Sequence, residues 1–106
     1  MDTPLSRIIE VIVRTLDPDT IILFGSRARG DAREDSDFDI CVLKKGISGR
    51  RTIARRLYRA LYGVGAPVEL IVDTPAMLRK YRDNPHLIYR EIARDGKIIY
   101  EKSRTG

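Results

Sequence analysis

The residues best suited to chemistry lie between positions 24 and 39, where Phe24-Gly25-Ser26 is followed, after ten intervening residues, by Asp37-Phe38-Asp39-Ile40. A strand ending in Gly-Ser lets backbone N–H groups and a small hydroxyl approach phosphate oxygens. Glycine has no Cβ to obstruct them, and the start of a following helix favours anions. Two aspartates two residues apart on a strand project to the same side, where their carboxylates can share divalent cations about 3.5–4 Å apart. Turn capping, or ion pairing with Arg27, Arg29 or Arg33, is the competing explanation for acidic residues here. It suits Asp31, Glu34 and Asp35 well, but Asp37 and Asp39 interrupt an apolar alternation in which an unpaired carboxylate is costly to bury.

Other uses of the same residues fail on chemistry. Gly25 and Gly30 have the glycine spacing of a Walker loop, but Asp31-Ala32 stands where Lys and Ser or Thr are required. Asp35, Asp37 and Asp39 imitate the first ligands of an EF-hand loop, yet Ile40 replaces its glycine and Gly46 its terminal glutamate. The dinucleotide fingerprint G-x-G-x-x-G is absent. With Cys41 and His86 each the sole residue of its kind, there is neither an internal disulfide nor a zinc cage, so a metal here would be held by oxygen.

The elements that must position this segment can be read from periodicity. Leu5, Ile8, Ile9, Ile12 and Leu16 repeat at helical spacing behind Thr3 as an N-cap and Pro4 as a first helical residue. After Asp17-Pro18-Asp19, the apolar run Thr20 to Phe24 predicts a buried strand, and residues 26–33 a short helix or turn. Ser36 to Leu43 predicts a second strand, with Phe38, Ile40 and Val42 on a core face and Asp37, Asp39 and Cys41 on a face carrying chemistry. Ile53, Leu57, Ala60 and Leu61 mark the inner stripe of a helix running to about Tyr62. Pro67 to Asp73 predicts a third strand. Thr74-Pro75 opens helical sequence through Lys80 and again over 85–94, and a last strand spans Lys97 to Tyr100. This alternation predicts an α/β (α+β) fold, a sheet with helices packed on it, in one unit over residues 1–106. There is no internal repeat or low-complexity tract.

Lysine and arginine total 20 against 15 acidic residues, a formal charge of +5 that favours anionic partners but is also common where only solubility is at stake. No stretch approaches the roughly 20 apolar residues of a membrane helix, and the start lacks the pattern of a secretory signal. The expectation is a cytoplasmic protein with no membrane contact. Arg51, Arg55 and Arg59 lie one helical turn apart, with Arg50 and Arg56 beside them. Such stacking costs about 0.2–0.5 kcal/mol per pair unless compensated. A solvated face is the default reading, and an acidic partner surface or an RNA backbone the alternative. Tyr58, Tyr62, Tyr81, Tyr89 and Tyr100 read as core edges, and Cys41 as a small buried filler.

Phe24-Gly25-Ser26-Arg27-Ala28-Arg29-Gly30 and Ser36-Asp37-Phe38-Asp39-Ile40 resemble the signature of the DNA polymerase β-type nucleotidyltransferases: Gly-Ser, a spacer, then Asp-x-Asp. The similarity is strongest to the minimal nucleotidyltransferases, often the antitoxin partners of HEPN-domain proteins. The resemblance implies the polymerase β-like fold with a mixed sheet, and a third carboxylate on a later strand at the position of Glu69, where the family normally has aspartate. It further implies that Asp37, Asp39 and Glu69 are the catalytic and metal-binding residues for two Mg²⁺ ions. Gly25 and Ser26, with Arg27 or Arg29, would hold the phosphates of ATP or another nucleoside triphosphate. The implied reaction transfers AMP to an acceptor hydroxyl, a tyrosine of a HEPN toxin, with this chain as antitoxin. The alternative is a weakly active or inactive nucleotide-binding module that neutralises a partner by complex formation. Larger family members carry an added domain for the acceptor. Here the acceptor is expected from another chain, or as a small molecule held at a homo-oligomer interface, and RNA is a less favoured partner.

Overall fold

The computed structural model describes residues 3–103. Helix α1 (Pro4–Leu16) opens with reciprocal hydrogen bonds between Thr3 and Ser6 and has proline in its first turn, where an N–H is dispensable. Asp17, in the left-handed region at φ 52°, ends it. Strand β1 (Thr20–Phe24) leads into the short α2 (Ser26–Arg29), and a loop then reaches β2 (Phe38–Leu43). After α3 (Arg50–Ala60) and β3 (Val68–Asp73), the Thr74 hydroxyl accepts from Met77 N–H to start α4 (Pro75–Tyr81). Helix α5 (Ile88–Asp95) and strand β4 (Lys97–Glu101) complete the described elements.

The four strands form one mixed sheet in the order β3-β2-β1-β4. Strand β1 pairs antiparallel with both β2 and β4, whereas β2 and β3 run parallel. This topology puts the end of β1 and the beginnings of β2 and β3 on one rim: Phe24 stands opposite Asp39, and Asp39 beside Glu69. The opposite rim carries Thr20, Leu43 and Asp73.

Both faces of the sheet are covered. Leu23, Ile40, Val42 and Leu70 pack against Ile8 and Ile12 of α1 and Leu57 of α3. On the other face Ile22, Phe24, Cys41 and Leu43 pack against Ile92 of α5, with Leu78 and Tyr89 at the margin. The face of β2 expected to carry chemistry is therefore core at Cys41 and Leu43, which leaves Asp39 at the rim as its candidate site residue. Cys41 is a buried filler, and burial, aided by the nearby Asp73 charge, pushes its thiol up to about 12.

The one buried charged side chain among the described residues is Asp73, 1% exposed. Its Oδ2 accepts from Arg50 Nη1 at 2.7 Å and from the Tyr89 hydroxyl, and its Oδ1 accepts from Thr74 N at 2.8 Å. These bonds satisfy a carboxylate whose unpaired burial would be costly, and they join β3, α3 and α5. Arg50, still exposed on the arginine face, is thus also tied to the framework. Tyr62, expected at a core edge, is 93% exposed because it falls in the turn after α3 ends. No helix among the described residues is long and apolar enough to cross a membrane.

Candidate active site

The centre of the site is the fit between Gly25 and Asp39. Gly25 leaves β1 at φ 72°, ψ −157°, a backbone region open almost only to glycine. A Cβ there would lie 2.9 Å from Asp39 Cγ and closer still to Oδ2. The carboxylate thus occupies the space that every other residue type would fill, directly beside the first turn of α2. Ala28 and Arg29 N–H already donate to Gly25 O, which leaves the N–H groups of Ser26 and Arg27 as the donors this turn can offer an anion.

Asp39 is half-buried, and its carboxyl is held above the usual range, first by burial and then by the charges of Asp37, Glu69 and Glu91, with Arg29 acting in the opposite sense. The sequence pattern suggested that Asp37 and Asp39 both project from a strand. In the structure β2 begins at Phe38, and Asp37 is an exposed residue of the preceding loop, still close enough to act on Asp39. Glu69 sits inside β3 but is exposed, so it is not stranded in apolar surroundings; its in-register pairing is what brings it to Asp39.

This donor set suits a hard divalent cation, since it offers carboxylate oxygens and no sulfur or imidazole, and a cation would relieve the like-charge crowding on Asp39. Among the described residues no three acidic, cysteine or histidine side chains are already gathered tightly enough to enclose an ion. The exposed Asp37 and Glu69 have room to turn inward.

The two candidate arginines behave differently. Arg27 Nε and Nη2 donate to Ser36 O at 3.0 and 2.8 Å, Nη2 also donates to Glu34 O at 3.2 Å, and the guanidinium stacks 4.0 Å from the Phe38 ring centroid. Its donors are directed at the loop that presents Asp37, not at the space above Gly25. Arg29 reaches Glu91 of α5 at 3.1 Å and Asp31 at 3.4 Å. Sequence reasoning missed Glu91. It belongs to an amphipathic helix far along the chain, and only the packing of α5 on the sheet brings it near Asp39.

Residues 6–105 match the family model described as polymerase beta, nucleotidyltransferase. The chain belongs to this family. It is 35% identical over 88 residues to a protein of Methanocaldococcus jannaschii named as a putative protein adenylyltransferase, an overlap of 78% of this chain and 58% of that protein. The chain therefore spans little more than half the length of that relative. Among solved structures, it superposes with a TM-score of 0.67 on a toxin–antitoxin crystallised with AMP-PNP, at 22% identity over 92% of this chain and 73% of the other. A putative nucleotidyltransferase from Sulfolobus solfataricus gives a TM-score of 0.67 at 24% identity, covering 93% of this chain and 78% of the other. A mutant of the toxin–antitoxin MntA–HpeT gives 0.65 at 19% identity, covering 92% and 73%. At these identities the three structures establish the common fold.

Proposed function

We propose that this chain transfers AMP from ATP to an acceptor hydroxyl, a tyrosine of a HEPN-type toxin, and so acts as an antitoxin. The observation that carries the reading is the Asp39 carboxylate seated against Gly25, in register with Glu69 and in the field of Asp37. The relative named for adenylyl transfer and the fold neighbour crystallised with AMP-PNP lend it support.

In this reading Asp37, Asp39 and Glu69 would hold two Mg²⁺ ions, which would supply charge neutralisation on the triphosphate and activation of the acceptor hydroxyl. The first-turn N–H groups of α2 and the Ser26 hydroxyl bind the terminal phosphates, and the Gly25 bend lets them approach. Arg27 acts on the loop: by fixing Ser36 and Glu34 carbonyls it positions Asp37. Arg29 is the arginine free to exchange its carboxylate partners, the exposed Asp31 and the half-buried Glu91, for phosphate oxygens. The acceptor oxygen forms its bond to the α-phosphorus as the bond to the bridging oxygen breaks. Pyrophosphate leaves, and the hydroxyl proton passes to a carboxylate oxygen of the trio or to water.

The test is incubation of the chain and a candidate partner with radiolabelled ATP and Mg²⁺, beside calorimetry of ATP binding. Labelling should vanish in Asp39→Asn, and labelling that survives it would remove Asp39 from the reaction. A second reading, a nucleotide-binding module that neutralises its partner by complex formation, draws support from Glu69, whose longer side chain stands exposed where the family pattern has aspartate. It predicts complex formation without a transfer product when mass spectra of the partner are taken.

A further inference from the structure

Helix α3 carries arginine at positions 50, 51, 55, 56 and 59, and the structure divides them. Arg50 is bound to Asp73, and Arg56 Nη2 donates to Thr15 O of α1 at 3.2 Å. Arg51 and Arg55 are exposed and share a face with Tyr58, at i, i+4 and i+7. Arg51 lines a groove of about 320 Å³ whose floor is Leu70, Ile71 and Val72 and whose far wall includes Ile88 and Tyr89. Tyr58 closes the row, its hydroxyl accepting from Leu70 N at 2.8 Å.

The floor of that groove is the outer side of an edge strand. Pro67 O and Asp73 O accept from Phe38 N and Lys44 N on the β2 side, at 2.9 and 3.0 Å. The alternation of a parallel ladder then turns the backbone groups of Val68, Leu70 and Val72 outward. Glu69, of the carboxylate trio, lies on this same strand. An arginine–tyrosine row, an apolar floor and a strand edge whose Leu70 N–H is already taken by Tyr58, with Val68 and Val72 turned outward on either side, therefore run along β3 between Asp73 at one rim and Glu69 near the other.

We propose that this groove docks an acidic, extended segment of the partner protein, the segment that carries the acceptor hydroxyl. The proposal rests on the transfer reading above and names the acceptor's chemistry. An acidic chain offsets the mutual repulsion of Arg51 and Arg55, while its main chain can meet the outward backbone groups of Val68 and Val72, as in recognition of extended peptides at sheet edges. A second copy of this chain would set Arg51 and Arg55 against their own counterparts, which opposes association. Single-stranded RNA needs aromatic faces on which bases can stack, whereas this floor is aliphatic and Tyr58 is tied to β3 through its hydroxyl.

The test uses a fluorescent glutamate–tyrosine random copolymer as probe, titrated by anisotropy at low ionic strength. Arg51→Glu with Arg55→Glu should weaken binding by about tenfold or more, because charge at the rim of an interface governs encounter and salt dependence. Arg79→Glu with Arg82→Glu, the same charge change on exposed residues elsewhere, should stay within about twofold of wild type. Equal weakening by both pairs would overturn the proposal, since it marks a general attraction to polyanions. Tighter binding of oligouridylate through Arg51 and Arg55 would overturn it in favour of RNA. Asp39→Asn should bind the copolymer like wild type and transfer no AMP to it. Binding that depends on Arg51 and Arg55 but yields no AMP-tyrosine with wild type upholds the docking surface and counts against the transfer reading.

Discussion

Replacing Gly25 with alanine should be costly for two separable reasons. The backbone at φ 72°, ψ −157° costs a non-glycine residue on the order of 1–3 kcal/mol. The added Cβ also falls 2.9 Å from Asp39 Cγ, and nearer to Oδ2, so the carboxylate must be displaced. Overpacking of this kind adds about 1–3 kcal/mol. The single substitution is therefore expected to destabilise by about 4 kcal/mol, measured by urea titration. In an Asp39→Ala background the clash with Cγ and Oδ2 disappears while the backbone strain stays. There the same change should cost only about 2 kcal/mol, a coupling of about 2 kcal/mol between neighbours. Asp39→Asn keeps the shape and removes the charge, so in that background Gly25→Ala should retain nearly its full cost. Equal costs in the wild-type and Asp39→Ala backgrounds, within about 0.5 kcal/mol, would refute the claim that the turn and the carboxylate compete for one volume.

Asp39→Asn alone should raise the melting temperature at neutral pH in the absence of divalent ions. The fold raises the Asp39 carboxyl, so its ionisation removes stability as pH climbs from the unfolded to the folded value, and the gain over wild type should vanish below the carboxylate range. Mg²⁺ with ATP should stabilise wild type in thermal scans and leave Asp39→Asn nearly unmoved. Tyr89→Phe deprives the buried Asp73 of a donor and should cost about 1–3 kcal/mol in urea, whereas Tyr62→Phe on the exposed turn should change nothing measurable. With its thiol pushed up to about 12 and its side chain fully buried, Cys41 should resist a thiol reagent at pH 8 and react only when denaturant opens the chain.

The strands, the Thr3 cap and the Thr74 cap were legible in the sequence because each is written in a local period or a short capping pattern. The Gly-Ser bend and Asp39 were legible for the same reason, since the bend and the residue it shelters lie within one short stretch of chain. What periodicity could not supply was the third dimension. Nothing local singles out Arg50, rather than its equally exposed neighbour Arg51, as the partner of Asp73, because that depends on where the end of β3 passes. Glu91 escaped for a similar reason, as its approach to Asp39 is set by how α5 lies across the sheet. The alternation of Asp37, Asp39 and Cys41 was visible, but their fates diverged: exposed loop, half-buried rim and sealed core.

The placement of Leu43 and Asp73 on the rim opposite Asp39 and Glu69 divides the molecule into a working end and a handling end. Residues 44–49 emerge from the handling end, four residues of β2 beyond Asp39, or about 13 Å at the rise of an extended strand. A small dye inserted there would sit at the other end of the strands from the carboxylates, beside Arg50 and Arg51 at the mouth of the proposed docking groove. Its signal would then report the arrival of a partner segment in that groove while leaving Gly25, Asp39 and Glu69 undisturbed.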